Sequence, residues 1–191
     1  KLAALVKKHL DAGKTLLATG RSGLNPEGSA FLFEPEWGVK YRGECDYSPA
    51  YFRLTGDFAA RVPDMPLAVY TAGLRTEALP GSTVAGKVVA PYYNKHWDGI
   101  YSYFYAPPDK ETELPFLVLN ARTAYCAFPL FEGYYNLASV DLRNVLALML
   151  EHLLPSPLLK TDSSLPSFAR AFVTEAGNRR MVHLLNYLPE L

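Results

Sequence analysis

The sequence predicts an α/β fold, an open sheet with flanking helices, followed by a C-terminal β-hairpin. Three observations carry that expectation. Leu117-Val118-Leu119 and Thr123-Ala124-Tyr125-Cys126 are apolar runs around Asn120-Ala121-Arg122, which reads as a buried hairpin. The pattern then switches to a helical period from Asn136 to Leu154. At the other end, an amphipathic helix, a glycine and a short apolar strand follow one another, which is half of an α/β unit.

Taken in order, Leu2, Leu5, Val6 and Leu10 share one face of a helix whose other face carries Lys7, Lys8 and Asp11, and Gly13 ends it. Residues 14–19 form the strand, and Gly20-Arg21-Ser22-Gly23 turns the chain at its carboxyl end, where open α/β sheets place active sites. Ser22 is a candidate nucleophile there, but G-x-S-x-G and the phosphate-binding glycine patterns are not completed. A short helix over 29–38 is expected to carry Phe31, Leu32 and Trp37 into the core before a strand at 39–41. Glu34 and Glu36 flank Pro35; paired carboxylates serve glycosidases when set several ångströms apart, but two so close in sequence read better as solvated charges.

Residues 43–62 read as an irregular, aromatic-rich loop, and 66–70 and 83–90 as strands. The loop 91–98 follows, with Tyr93, Asn94, His96 and Trp97 as the best candidate for a functional surface, able to hydrogen-bond hydroxyls, stack on a sugar or meet another subunit. A strand at 101–105 is expected to stop at Pro107-Pro108, with a charged turn at Lys110–Glu113 before the hairpin. Glu132 and Asp141 are the carboxylates nearest the hairpin's end, and neither has a His close in sequence. Val140, Val145, Leu146, Met149, Leu150 and Leu153 form the stripe of the long helix, which Pro155 terminates. His152 near its end reads as a cap or dipole partner. Serines and prolines then mark a linker, and 168–174 and 180–187 read as two strands around Glu175-Ala176-Gly177-Asn178. The expected division is therefore residues 1–157 and residues 158–191, the second being a linker and hairpin that open a β domain.

Composition narrows the function. Hydrophobic residues make up 49% of the 191, and Lys+Arg equals Asp+Glu at 19 each, so no basic excess favours nucleic acid or an anionic membrane. No apolar run reaches the roughly 20 residues that span a bilayer. The four His (His9, His96, His152, His183) lack metal-ligand spacing, and no cofactor motif is complete. Cys126 reads as a buried thiol and Cys45 as a loop residue, with no framework of disulfides. The aromatic share of 13% exceeds what a minimal core needs, which points to contact surfaces.

Gly13–Leu24, Ala90-Pro91-Tyr92-Tyr93-Asn94, Ala127-Phe128-Pro129 and Val182–Tyr187, in that order, resemble the trimerisation domain of bacterial β-galactosidase-type glycoside hydrolases, α-L-fucosidase-like relatives included. The resemblance implies a class I glutamine amidotransferase-like, flavodoxin-related fold without the amidotransferase nucleophile, since Thr19-Gly20-Arg21-Ser22 stands where active members carry Cys. It further implies a parent whose catalytic carboxylates lie on a separate (β/α)-barrel, association into a trimer, and an aromatic loop at the rim of a neighbouring active site, for which Tyr93, His96 and Trp97 are the equivalents. On this reading the chain, which opens at Lys1 without Met, starts after the family's first strands. The expected role is a non-catalytic accessory and oligomerisation domain, with the parent barrel as partner and carbohydrate as a ligand of the shared pocket. Two other classes remain open: a small amidotransferase-like hydrolase using Ser22 or Cys126, and a carbohydrate-binding module using Trp97 and nearby tyrosines.

Overall fold

The structure, a computed structural model, describes residues 2–94, 106–161, 165–166 and 168–186. Two compact units are present, Lys1–Leu153 and Leu154–Leu191.

The first unit opens with α1 (Leu2–Asp11), whose apolar positions recur at helical spacing. Gly13 takes φ +76°, a left-handed turn that suits glycine, and leads the chain into β1 (Leu16–Thr19). The expected helix over 29–38 is only the single turn α2 (Glu34–Trp37). Phe31 and Trp37 are buried as expected, but Leu32 is 54% exposed. The strand predicted at 39–41 extends as β2 (Val39–Glu44).

Residues 43–62 are less irregular than their composition implies, because β3 (Ala50–Leu54) runs through them, followed by a 3-10 turn at Gly56–Arg61. β3 is buried at four of its five positions, so it shows no polar alternation. β4 (Leu67–Val69) and β6 (Thr83–Pro91) match their predicted strands, and between them lies β5 (Leu74–Ala78), which pairs with β2 in a small separate sheet. The expected strand at 101–105 lies outside the described residues.

Lys110–Glu113 is not a turn. It belongs to the outer half of β7 (Pro108–Leu119), a twelve-residue strand whose inner end, Pro115–Leu119, is wholly buried. Thr112 turns inward and donates its hydroxyl to the Val88 carbonyl at 2.8 Å, while Glu111 and Glu113 face the Lys87 ammonium. The charges thus mark the solvent face of a strand. β8 (Thr123–Cys126) completes the predicted hairpin, with Asn120 N–H closing the turn on the Thr123 carbonyl at 2.8 Å.

These strands form a six-stranded sheet in the order β1-β8-β7-β6-β3-β4. Only β1 and β8 run parallel, with Leu16 opposite Thr123 and Thr19 opposite Cys126; every other neighbouring pair is antiparallel. The α/β unit read from the first twenty residues is therefore joined to a largely antiparallel sheet. Repeated register shifts between β6 and β7 bend it, as bulges do, into a curled open surface.

The predicted long helix is broken near its start. Only its first two residues, Asn136 and Leu137, fall in α3 (Leu130–Leu137), a helix not expected from the sequence that ends where Ala138 adopts φ 49°; the rest is α4 (Val140–Leu153). Of the predicted stripe, Val145, Leu146, Met149 and Leu153 are buried, Val140 and Leu150 are exposed, and Leu142 and Leu148 complete the buried face.

The core centres on aromatic rings. Phe52 of β3 and Phe116 of β7 stack with centroids 4.0 Å apart and planes 2° from parallel, and Phe128 lies 5.5 Å from Phe116. Gly73 lets the chain before β5 close over Phe128: a Cβ at that position would lie 2.4–2.6 Å from three atoms of the ring. Gly73→Ala should therefore cost about 1–3 kcal/mol, as forced overpacking does. Urea denaturation checks this, and a change under about 0.5 kcal/mol, the usual scatter of surface substitutions, would count against it.

In the second unit, β9 (Arg170–Ala176) and β10 (Arg179–Leu185) pair antiparallel around Gly177-Asn178, with Gly177 at φ +60°. Phe172 stacks on the His183 ring at 4.8 Å, and the Thr174 hydroxyl lies 2.9 Å from His183 Nε2.

Candidate functional site

Two places compete as the site: the carboxyl end of the parallel pair β1/β8, and the segment that leaves β6.

At the first, the backbone turns sharply out of β1. Gly20 takes φ +53° and packs on Pro129, whose atoms lie 3.2–3.3 Å from where a Cβ would stand. The Gly20 carbonyl accepts the buried Tyr125 hydroxyl at 2.8 Å, and the Ser22 carbonyl accepts the Trp37 indole N–H at 2.9 Å. Two side chains thus tie down the backbone of the turn at the end of β1, where open α/β enzymes place their substrates. The Ser22 hydroxyl donates back to the Thr19 carbonyl at 2.7 Å, closing its own turn. Arg21 extends outward to an exposed ion pair with Glu44 at 2.7 Å.

No histidine serves Ser22 among the described residues. His9 bonds the Thr15 carbonyl at 2.9 Å, His152 the Asn120 carbonyl at 3.0 Å, and His183 lies in the hairpin. His96 lies outside the described residues. Cys126 is fully buried, and that burial pushes its thiol far above the ordinary range, which removes the thiolate a nucleophile needs. Burial also raises the half-buried Cys45. Both cysteines are free.

The carboxylates are used structurally. Glu34 accepts the Tyr41 backbone N–H at 3.2 Å, fixing α2 against β2. Glu36 offers only its backbone carbonyl inward, to Asn120 Nδ2 at 3.0 Å and to the Thr123 hydroxyl. Glu132 and Asp141 stand in the first turns of α3 and α4, where the helix dipoles favour negative charge. Arg122 donates to the Leu10 carbonyl at 2.9 Å, satisfying the end of α1. No group of three His, Cys, Asp or Glu side chains able to hold a metal occurs among the described residues.

At the second place, β6 ends in Tyr92-Tyr93-Asn94. Tyr92 donates its N–H to the Pro107 carbonyl at 2.8 Å, and Tyr51 donates its hydroxyl to the Ala106 carbonyl at 2.5 Å. Asn94 Oδ1 accepts the Ser48 N–H at 3.1 Å, tying the segment to the loop before β3. Tyr93 is half-buried and Asn94 exposed, so of the four residues singled out, these two stand together on an anchored base. His96 and Trp97 lie outside the described residues. Tyr92, not singled out from the sequence, is the ring presented outward, 74% exposed.

A further aromatic surface lies on α3, most of which precedes the helical period expected from Asn136. Phe131, Tyr134 and Tyr135 are all exposed, Tyr135 at 89%. Gly133 is buried on the opposite side, with Leu142 2.6 Å and Thr71 3.5 Å from where its Cβ would be, and Thr71 follows the exposed Tyr70. The signal for this helix was the pair of aromatics three and four positions after Phe131, with glycine between.

No protein-family model matches the chain, and no curated protein sequence does. Among solved structures, α-L-fucosidase isoenzyme 2 from Paenibacillus thiaminolyticus is similar over 97% of this chain, with 28% sequence identity and a TM-score of 0.84. The chain spans 28% of the length of that protein. This likeness supports a domain related to glycoside hydrolases.

Proposed function

We propose that the chain is a non-catalytic accessory domain of an α-L-fucosidase-like or β-galactosidase-type glycoside hydrolase, built on an amidotransferase-like scaffold. Its task is to hold subunits together and to shape the edge of a substrate pocket formed elsewhere in the parent. The observation that carries this is the likeness to the fucosidase: it takes in nearly all of this chain yet little more than a quarter of the other, as a domain of a larger enzyme would. The turn at the end of β1 agrees, because its carbonyls and the Ser22 hydroxyl are engaged in structural hydrogen bonds.

Exposed aromatics on α3 and at Tyr92 give the association its surfaces, since such rings bury large area at low entropic cost. Tyr93 and Asn94, with His96 and Trp97 after them, are assigned to the rim of the pocket. A trimer is the assembly proposed.

Sedimentation of the purified chain, alone and mixed with the remainder of its parent, tests the reading. Self-association or binding to the remainder is expected, with no hydrolysis of 4-nitrophenyl α-L-fucoside by the chain alone. A chain that stays monomeric and binds nothing of its parent would overturn it.

A further inference from the structure

The outer edge of β1 is built to receive another strand. Leu16 N–H donates to the Arg122 carbonyl at 2.9 Å and Gly20 N–H to the Cys126 carbonyl at 2.8 Å, so the even-numbered amides face β8. Backbone groups alternate along a strand, which turns the Leu17 and Thr19 amides to the opposite side. There β1 is the outermost strand, and no carbonyl among the described residues accepts from either. Exposed edges are ordinarily blunted by charge, proline or a bulge. Leu16-Leu17-Ala18-Thr19 carries none of these.

An apolar groove of about 320 Å³ adjoins this edge, lined by Leu2, Val6, Leu17, Leu24, Leu32 and Trp37. Helix α1 forms one wall and is only half covered: Ala3, Val6 and Leu10 meet the core, whereas Leu2 and Leu5 are 72% and 59% exposed. A helix entering a strand through a short turn, with apolar residues left over beyond that strand, has the form of a crossover between two parallel strands.

We propose that the β1 edge takes up an extended apolar strand, parallel to β1, supplied by the rest of the same glycoside hydrolase polypeptide, with its side chains in the groove beneath α1. This rests on the reading of the chain as one domain of a larger hydrolase; most of the fucosidase-like chain lies outside the matched portion. Two donors, Leu17 and Thr19 N–H, supply the main-chain bonds, and the groove selects apolar side chains.

Amide hydrogen exchange, read at Leu17 and Thr19 in the 191-residue chain and in the whole natural protein that carries it, tests the proposal. In the chain alone both amides should exchange fast while Ala18, which faces β8, is protected. In the whole protein both should slow by roughly 100-fold or more, as pairing in a stable sheet does. Leu32→Glu should leave the melting temperature of the chain alone unchanged and reverse that slowing in the whole protein. Equal exchange in the two contexts overturns the proposal, as does protection in the chain alone that rises with its concentration, which would assign the edge to a second copy. If the whole protein protects both amides but cleaves no glycoside, the edge pairing stands and the reading of the parent falls; an active parent with unprotected amides gives the reverse.

Discussion

Phe116→Ala should lower the unfolding free energy by about 3–5 kcal/mol, the range for truncating a buried aromatic ring. Phe116 is fully excluded from solvent on β7, and its ring is shared by two others: Phe52 stacks on one face and Phe128 leans on it. Removing it takes away its own burial and also strands Phe52, which sits on a different strand, with nothing to stack against. The cavity cannot close easily, because β7 is held between β6 and β8. Urea unfolding followed by circular dichroism measures the loss, and at 2–4 °C per kcal/mol the melting temperature should fall by roughly 6–20 °C. Phe116→Leu, which keeps most of the volume, should cost less than half as much. A loss below about 1 kcal/mol for the alanine variant would move the centre of the core elsewhere.

That core was partly legible in the sequence. Leu117-Val118-Leu119 and Thr123–Cys126 announced themselves as a hairpin because both runs are buried along their length and a short polar turn separates them. β3 hid because its burial is just as continuous, but it follows Ser48-Pro49 and contains Arg53, whose guanidinium pairs with Asp64 at the surface. Short apolar runs among turn residues carry no period to read. The outer half of β7 hid for the opposite reason: Asp109, Lys110, Glu111 and Glu113 look like solvent, and only Thr112 and Leu114 betray the inward face. Parallel against antiparallel pairing depends on which strands meet, and nothing local to β1 announced that β8 would be its parallel neighbour.

The site was legible in its residue types more than in its geometry. Ser22 at the end of β1 stood where an open α/β sheet would place a nucleophile, though without a complete elbow pattern or a base close in sequence. What removes it is long-range: Trp37, Tyr125 and Pro129, distant in sequence, converge on the turn. Likewise Asn94 was chosen for its hydrogen-bonding capacity, but the bond that anchors it comes from Ser48 on another loop.

Cys126 should resist alkylation in the native chain, with iodoacetamide at pH 8 modifying it at least about 1,000-fold more slowly than in urea. The thiolate is the reacting species. Cys126 has no exposed surface, and burial, only slightly opposed by the Phe128 backbone N–H, holds its proton on. Modification therefore has to wait for opening of the β1/β8 pair, and its rate should follow the population of opened molecules. Cys45, half-buried after β2, should react first and serve as the internal reference. The same group sets a pH dependence. Its folded pKa is raised above the unfolded one, so its contribution is complete below about pH 8.5 and declines as the pH rises above that value. Above it the unfolded chain sheds the thiol proton while the folded chain keeps it, at up to about 1.4 kcal/mol per pH unit. Cys126→Ala should flatten that decline. Mass spectrometry of the labelled chain decides the matter: rapid, stoichiometric labelling of Cys126 without unfolding would restore a thiolate at the end of β8, and with it the case for a hydrolase in place of a scaffold.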